Sequence, residues 1–490
     1  MVFNSLNYLL FVLLSWLAFN AFPQNIRWAV LLVSGILFYL SFVPVFALLI
    51  LLLGGMNYRF GLILERKKLS GKPVSVAWFV AFNVAFLALF KYFDYLVPVT
   101  DFSLLNWRIF QTFPEINHWI IPIGLSYISF TLISYLIEIN RGKIQAERNA
   151  GVFAVYLFFF PKVAQGPIER PQNLLPQLRH LKTAGYLMIV EGLKLIVWGY
   201  FKKLVVADRL AIYVDAVYNN YSNHSGLTLA FATVLYAFQL YADFSGYTDI
   251  AIGTAKLFGI DLTQNFKRPY LSTSLKDFWS RWHITFSSWL RDYLFLPLAL
   301  YFSRKMKKNR YAGVATELII YTAATLITFV ICGLWHGETL NYLAWGLLFG
   351  IMLSIANKME KSNKMIRKKL HLKKESGIYK LIHIPITFLL VVFTFVFFRS
   401  PSLDGALDIL NRIPSVQGSL FTGEPDIFIY SLLGIFLLIV FDLKQEFFEN
   451  RFRLFESKKI AISMVSYALL IGLIGLFGVF DGGQFIYFQF

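Results

Sequence analysis

Apolar residues in this chain gather into long runs separated by short polar breaks. Runs cover 7–22, 28–42, 44–63, 75–97, 118–137, 151–167, 188–206, 226–248, 316–335, 340–356, 379–398, 427–446 and 461–480. A helix needs about 20 apolar residues to cross the hydrocarbon of a bilayer. The pattern therefore predicts an all-α, polytopic membrane bundle with about 10 to 13 spanning helices, the shorter or charged runs being tilted, re-entrant or interfacial. The stretch 28–63 is too long for one crossing, and Pro44 supplies a break. The first run has no basic segment before it and no small-residue cleavage site after it, so it reads as a retained helix. The longest polar stretches, 357–376, 400–426 and 444–460, hold nothing resembling a soluble domain, and no fixed-period repeat is visible. The expected organisation is one membrane domain over 1–490.

Composition agrees with the pattern. Hydrophobic residues make up 57% of the 490 positions and charged ones 15%, against about a quarter charged in a soluble domain. The net charge of +18 suggests nucleic acid until its positions are read. Basic residues cluster in the breaks: Arg66–Lys68 with Lys72, Arg304 through Arg310, and Lys358 through Lys374. That is the distribution of cytoplasmic loops, which also meet anionic headgroups, so membrane lipid rather than nucleic acid is the expected partner. Cys332 is the single cysteine, which rules out an intramolecular disulfide. No Walker-type loop, His-Glu-x-x-His, Cys/His metal cluster or Gly-x-Ser-x-Gly elbow occurs, so no metal site and no bound cofactor are expected.

Ionisable residues at membrane depth are costly and mark candidate sites. Asp243 and Asp249 stand in one apolar run with Tyr247 between them, and they need either partners or a water-filled cavity. Pairing with Lys or Arg of neighbouring helices is the simpler reading. Treated as one helix, 276–293 gathers Phe278, Trp279, Trp282, Phe286, Trp289 and Tyr293 on one arc, with Asp277, Arg281, Ser288 and Asp292 opposite. This predicts an interfacial helix with its aromatic face inward and His283 at the flank, where a structural role is the ordinary one. His336 is the sharper candidate. It ends an apolar run between Gly333 and Gly337, beside Trp335 and Glu338. Imidazole titrates near neutrality and can take a hydroxyl proton and return it. His383 stands alone in an apolar run, and His118, His180, His224 and His371 lie in loops or at span ends.

Four segments together resemble the membrane-bound O-acyltransferases, specifically the bacterial branch that holds alginate O-acetyltransferase and the D-alanyl transfer protein of teichoic acids. They are Pro122-Ile-Gly-Leu-Ser-Tyr127 with Tyr135; Pro161-Lys-Val-Ala-Gln-Gly-Pro-Ile-Glu-Arg170; Asp243-Phe-Ser-Gly-Tyr-Thr-Asp249 through Asn265-Phe-Lys-Arg-Pro-Tyr270 to Phe278-Trp-Ser-Arg-Trp-His283 and Trp289-Leu-Arg-Asp-Tyr293; and Gly333-Leu-Trp-His-Gly337. The ending Phe485-Ile-Tyr-Phe-Gln-Phe490 also looks like the alginate type. Two departures are Pro297-Leu-Ala-Leu-Tyr301 in place of Pro-Leu-Gly-Gly-Asn, and Trp345-Gly-Leu-Leu-Phe-Gly350 in place of Trp-Gly-x-x-His-Gly; they leave the acceptor open.

The resemblance implies an enzyme of the bacterial inner membrane. An acyl group, expected to be acetyl, would pass from a cytoplasmic thioester (acetyl-CoA or an acyl carrier protein) to a hydroxyl of an envelope polysaccharide, directly or through a periplasmic acyltransferase partner. It implies His336 as general base and His283 as its support. Asp243, Tyr247, Asp249, Asn265, Arg281, Trp282, Trp335 and Arg291 are the candidate supporting or substrate-binding residues. The readings from other classes are a transporter or lipid flippase, with Asp243, Asp249 and His336 along its path, and a non-catalytic scaffold for polysaccharide assembly.

Overall fold

The computed structural model describes residues 3–42, 44–92, 122–374, 376–415, 418–448 and 460–480. Their regular secondary structure is helical apart from one small hairpin, Arg310–Tyr311 paired with Val314–Ala315. Among the described residues, six helices are long and apolar enough to span a bilayer: Phe46–Leu69, Gly226–Leu257, Thr316–His336, Leu340–Glu360, Gly377–Arg399 and Pro425–Phe447. Four shorter apolar helices accompany them, Leu6–Ala21, Arg27–Leu40, Val76–Lys91 and Ser463–Phe477. The chain is thus a polytopic helical membrane protein. Pro44 starts a helix where a break was expected. The polar stretch after 356 is not a loop at its start, because the helix Leu340–Lys369 continues through it. His118, the start of the run 118–137 and the ending 485–490 lie outside the described residues.

Contacts group the chain into two compact units, Met1–Leu193 with Ala251–Thr263, and Lys194–Ile250 with Gln264–Phe490. In the first, the helix Leu125–Arg141 is buried along most of its length. It starts at Gly124, whose φ of 74° favours glycine; a Cβ there would also stand 1.9 Å from the Val163 carbonyl oxygen. The run 151–167 does not form one helix. It divides at Phe159 into Ala150–Phe158 and Phe160–Val163, as Pro161 has no amide hydrogen to donate to the preceding turn and sits in the first turn of the second helix, where that donor is not needed. Beyond this break Glu169 is fully buried and accepts hydrogen bonds from the Thr263 amide and Asn173 Nδ2. Burial pushes its carboxyl above the ordinary range.

Close helix crossings set the geometry of the second unit. Gly199 and Gly246 face each other: a Cβ on either would stand within 2.6 or 2.9 Å of the other's carbonyl oxygen. Just beyond, a π-helical turn, Phe201–Ala207, carries Lys202 and Lys203. The helices Thr316–His336 and Leu340–Lys369 form a tight antiparallel hairpin. A Cβ at Gly346 would meet the Phe329 carbonyl oxygen at 2.2 Å and Gly333 Cα at 3.1 Å, and one at Gly333 would meet the Tyr342 carbonyl oxygen at 2.4 Å. Small residues at such positions let backbones approach to packing distance.

Gly346→Ala is accordingly expected to lower stability by about 1–3 kcal/mol through overpacking, even though alanine is the better helix former by roughly 0.5–1 kcal/mol. Gly472→Ala, in a helix where a Cβ would meet nothing within 4 Å, is expected to be neutral or mildly stabilising. Thermal unfolding of the two variants in detergent compares them. Equal melting temperatures would remove the claim that the 333/346 crossing is sterically limiting.

Candidate active site

Residues 276–293 do not form the single helix that their periodicity predicts. One helix spans Leu275–Arg281 and another Ile284–Leu290, followed by a π turn over Arg291–Phe295. Between them Trp282 is extended and His283 is left-handed, at φ 44° and ψ 54°. A non-glycine residue held there costs of order 1–3 kcal/mol, so the surroundings must over-determine it. They do so through the segment beginning at Asn265. The Lys267 amide donates to the Arg281 carbonyl (2.9 Å) and the Ile284 amide to the Asn265 carbonyl (2.8 Å). Asn265 Oδ1 accepts from the Thr285 amide (3.1 Å) and Thr285 Oγ1 (2.9 Å), and lies 3.1 Å from His283 Nδ1. The expected inward aromatic face survives the break: Phe278, Trp282, Phe286 and Trp289 are buried.

Those bonds assign the chemistry of His283. The Thr285 amide can only donate, which fixes the oxygen of Asn265 toward it and excludes the flipped amide. That oxygen can only accept, so His283 Nδ1 carries the hydrogen. Burial pushes the imidazole down to about 3, and it is therefore neutral at physiological pH. A neutral ring protonated on Nδ1 has its lone pair on Nε2.

His336 is the last residue of the helix Thr316–His336 and is 5% exposed. Aromatic rings surround it: Trp335 at 4.6 Å between centroids, Trp345 and Phe398 at 5.0 Å and edge-on. Asn341 holds this wall in place, its Nδ2 donating to the carbonyls of Phe397 and Ser400. The Phe286 ring lies 5.0 Å from His283 and 6.5 Å from His336. One aromatic side chain therefore touches both imidazoles.

The other candidates divide. Asp243 receives Lys203 (2.7 Å), which also binds Asp208 (2.8 Å), and Asp249 receives Lys202 (2.7 Å). The paired reading of both carboxylates is thus the observed one, and buried ion pairs of this kind are strongly destabilised by loss of one partner. Tyr247 is fully buried on the same helix. Trp282 packs on Phe266 and Phe278, and Trp335 packs on Phe286 at 4.4 Å. Arg281 binds Asp277 and Glu446. Arg291 is exposed and forms an ion pair with its neighbour Asp292. Sequence reasoning missed Lys202, Lys203, Asp208, Arg268, Asn341 and Glu446. The two lysines did leave a signal, as adjacent charges inside an apolar run that match two aspartates in another.

Asn265→Ala is expected to strand two buried donors, the Thr285 amide and His283 Nδ1–H, at about 1–3 kcal/mol each. The protein should melt at a clearly lower temperature, while Asn265→Asp, which keeps an acceptor oxygen in place, should retain more of its stability. If the alanine variant melts like the parent, Asn265 does not hold the His283 turn.

With the geometry described, comparison with known proteins is informative. A sequence model of the membrane-bound O-acyltransferase family matches residues 149–374, a span that includes both histidines. A probable alginate O-acetylase of Pseudomonas syringae pv. tomato is 33% identical over 389 residues, covering 78% of this chain and 69% of its own length. A peptidoglycan O-acetyltransferase of Helicobacter pylori is 29% identical over 509 residues, covering 94% and 91%. A teichoic acid D-alanyltransferase of Streptococcus thermophilus is 31% identical over 288 residues, covering 56% and 68%. The motifs, the helical membrane bundle and these relatives lead to one assignment: the chain belongs to the membrane-bound O-acyltransferase family and is a membrane O-acyltransferase.

Proposed function

We propose that this acyltransferase moves an acetyl group from a cytoplasmic thioester, acetyl-CoA or an acylated carrier protein, to a hydroxyl of a cell-envelope polysaccharide. The relatives named for alginate and peptidoglycan acetylation support this cargo and acceptor class. The bacterial inner membrane is the proposed location, with a periplasmic partner able to complete the transfer. His336 is the proposed general base. It takes the proton of the acceptor hydroxyl as that oxygen attacks the thioester carbonyl, and returns it to the departing thiolate. The C-terminal end of its helix carries partial negative charge, which stabilises the imidazolium formed midway. His283, neutral and fixed by Asn265, offers Nε2 as a hydrogen-bond acceptor that orients the reacting groups. Asn265 Nδ2 and Trp345 Nε1 are buried and have no partner among the described residues; both are candidate donors to the acyl carbonyl oxygen.

The observation that carries this reading is the position of His336 at the apex of a hairpin with two basic ends. Arg304–Arg310 precedes the first helix and the basic stretch from Lys358 to Lys374 closes the second. The positive-inside rule puts both ends in the cytoplasm. The apex, about 30 Å along a helix of 21 residues, then faces outward, toward an envelope acceptor. The transporter reading is not favoured, because Asp243 and Asp249 are held by lysines and the family is one of acyltransferases.

His336→Ala at matched expression is expected to reduce the ester content of extracted envelope polysaccharide by about 10²–10⁴-fold in rate. His283→Ala should cause a smaller loss. Unaltered acylation in the His336 variant would sink the assignment of that residue as base.

A further inference from the structure

A second left-handed residue sits beside the His283 turn. Arg268 has φ 47° and ψ 60°, directly after the segment whose amide and carbonyl groups bond Arg281 and Ile284. Arg268 and His283 are thus two non-glycine residues in the left-handed region, one on each strand of the same two-bond bridge. Both strands are tied to one carboxylate from a different helix. Glu446, in Pro425–Phe447, receives Arg268 Nε on Oε2 (2.7 Å) and Arg281 Nη1 on Oε1 (2.9 Å). Gln445 adds an acceptor for Arg268 Nη1 at 3.2 Å. Asp277 secures the other side, with Oδ1 on Arg281 Nε (2.8 Å) and Oδ2 on the Thr273 amide (3.0 Å). All four charged side chains are well shielded from solvent, between 16% and 25% exposed.

We propose that Glu446 is a positioning residue for His283, acting through Arg268 and Arg281. The inference rests on the reading of His283 as part of the transfer site. Two arginines on one carboxylate form a charge-assisted clamp, stronger and more directional than neutral hydrogen bonds. The clamp spans the bridge whose distortion would let His283 relax into an ordinary helical or extended conformation. Such a relaxation would break the Nδ1 bond to Asn265 and turn the ring away from Phe286. Glu446 touches neither imidazole, so its effect on transfer passes entirely through the geometry of the turn. Displacements of about 1 Å by residues remote from the chemistry can cost as much as 10²-fold.

The test uses the full chain in detergent micelles, with Glu446→Ala compared with the parent. Two readouts are taken: the rate of diethyl pyrocarbonate labelling at each histidine, by peptide mass spectrometry, and acyl transfer kinetics. The expected result is a rise of about tenfold in labelling at His283, with His224 and His383 unchanged, and a fall of about tenfold in kcat at nearly constant KM for the thioester. Unchanged labelling at His283, a rise shared by His224 and His383, or undiminished transfer would each overturn the proposal. If Glu446→Ala does not accumulate as folded protein, Arg268→Gln releases one arm of the clamp and carries the same comparison. Failure of the transfer reading would show separately, as full activity in His283→Ala with the labelling of His283 in the Glu446 variant still raised.

Discussion

Inside an apolar bundle a buried polar group has no water to fall back on, so each must find its partner within the protein. That constraint shapes the site more than any single packing contact. It explains why Lys203 bridges Asp208 and Asp243, and why Lys202 meets Asp249. It also explains how Asn265 can hold His283 in an unfavourable backbone conformation. A strained turn in water would relax by exchanging its hydrogen bonds for solvent. Here the Thr285 amide and His283 Nδ1–H would lose the acceptor that Asn265 provides, in a setting from which solvent is excluded. The cost of exposing those donors exceeds the cost of the left-handed residue.

The same constraint separates the two imidazoles. His283 sits deep, with one nitrogen committed to an amide oxygen, and burial keeps it uncharged. Its fixed tautomer makes it a reliable acceptor and a poor carrier of positive charge. His336 lies at a helix terminus, where the backbone itself offers negative potential to a transient cation. The aromatic wall of Trp335, Trp345 and Phe398 shields it on the sides away from the helix terminus. The base proposed for His336 must accept charge and give it up within one turnover, and the orienting group proposed for His283 must not change at all.

Hydropathy made the bundle legible because crossing a bilayer demands length and apolarity, both of which are local properties. The helices Thr316–His336, Gly377–Arg399 and Pro425–Phe447 fall within two residues of the runs that predict them. Periodicity also placed six aromatics of 276–293 on one arc, of which Phe278, Trp282, Phe286 and Trp289 are buried while Trp279 and Tyr293 are half-buried. It could not find the break at Trp282–His283, because the forces that impose it come from Asn265, 18 residues earlier, through bonds no helical period encodes. The split of 151–167 has a local cause, since Pro161 belongs to the family-like motif and also interrupts the apolar run as a helix. Glu446 gave no local signal at all. An acid at the end of a span is ordinary, and only the convergence of Arg268 and Arg281 on it makes it distinctive.

Tertiary constraint therefore enters the site at its two ends in different ways. His336 is placed by steric proximity: Gly333 and Gly346 bring two helices together, and the imidazole sits where that hairpin turns. Changes in its position must come through rigid helix movement, which close packing resists. His283 is placed by hydrogen bonds and ion pairs across short segments, which are individually weaker and able to yield one at a time. Phe286 touches both rings, so a shift of the softer element reaches the stiffer one through a single aromatic contact. The proposed reaction, which joins a donor on one side of the membrane to an acceptor on the other, needs one residue that holds still while substrates of different shape arrive. The packed hairpin supplies that fixed point, and the clamped turn is the part of the site whose geometry a small number of side chains can tune.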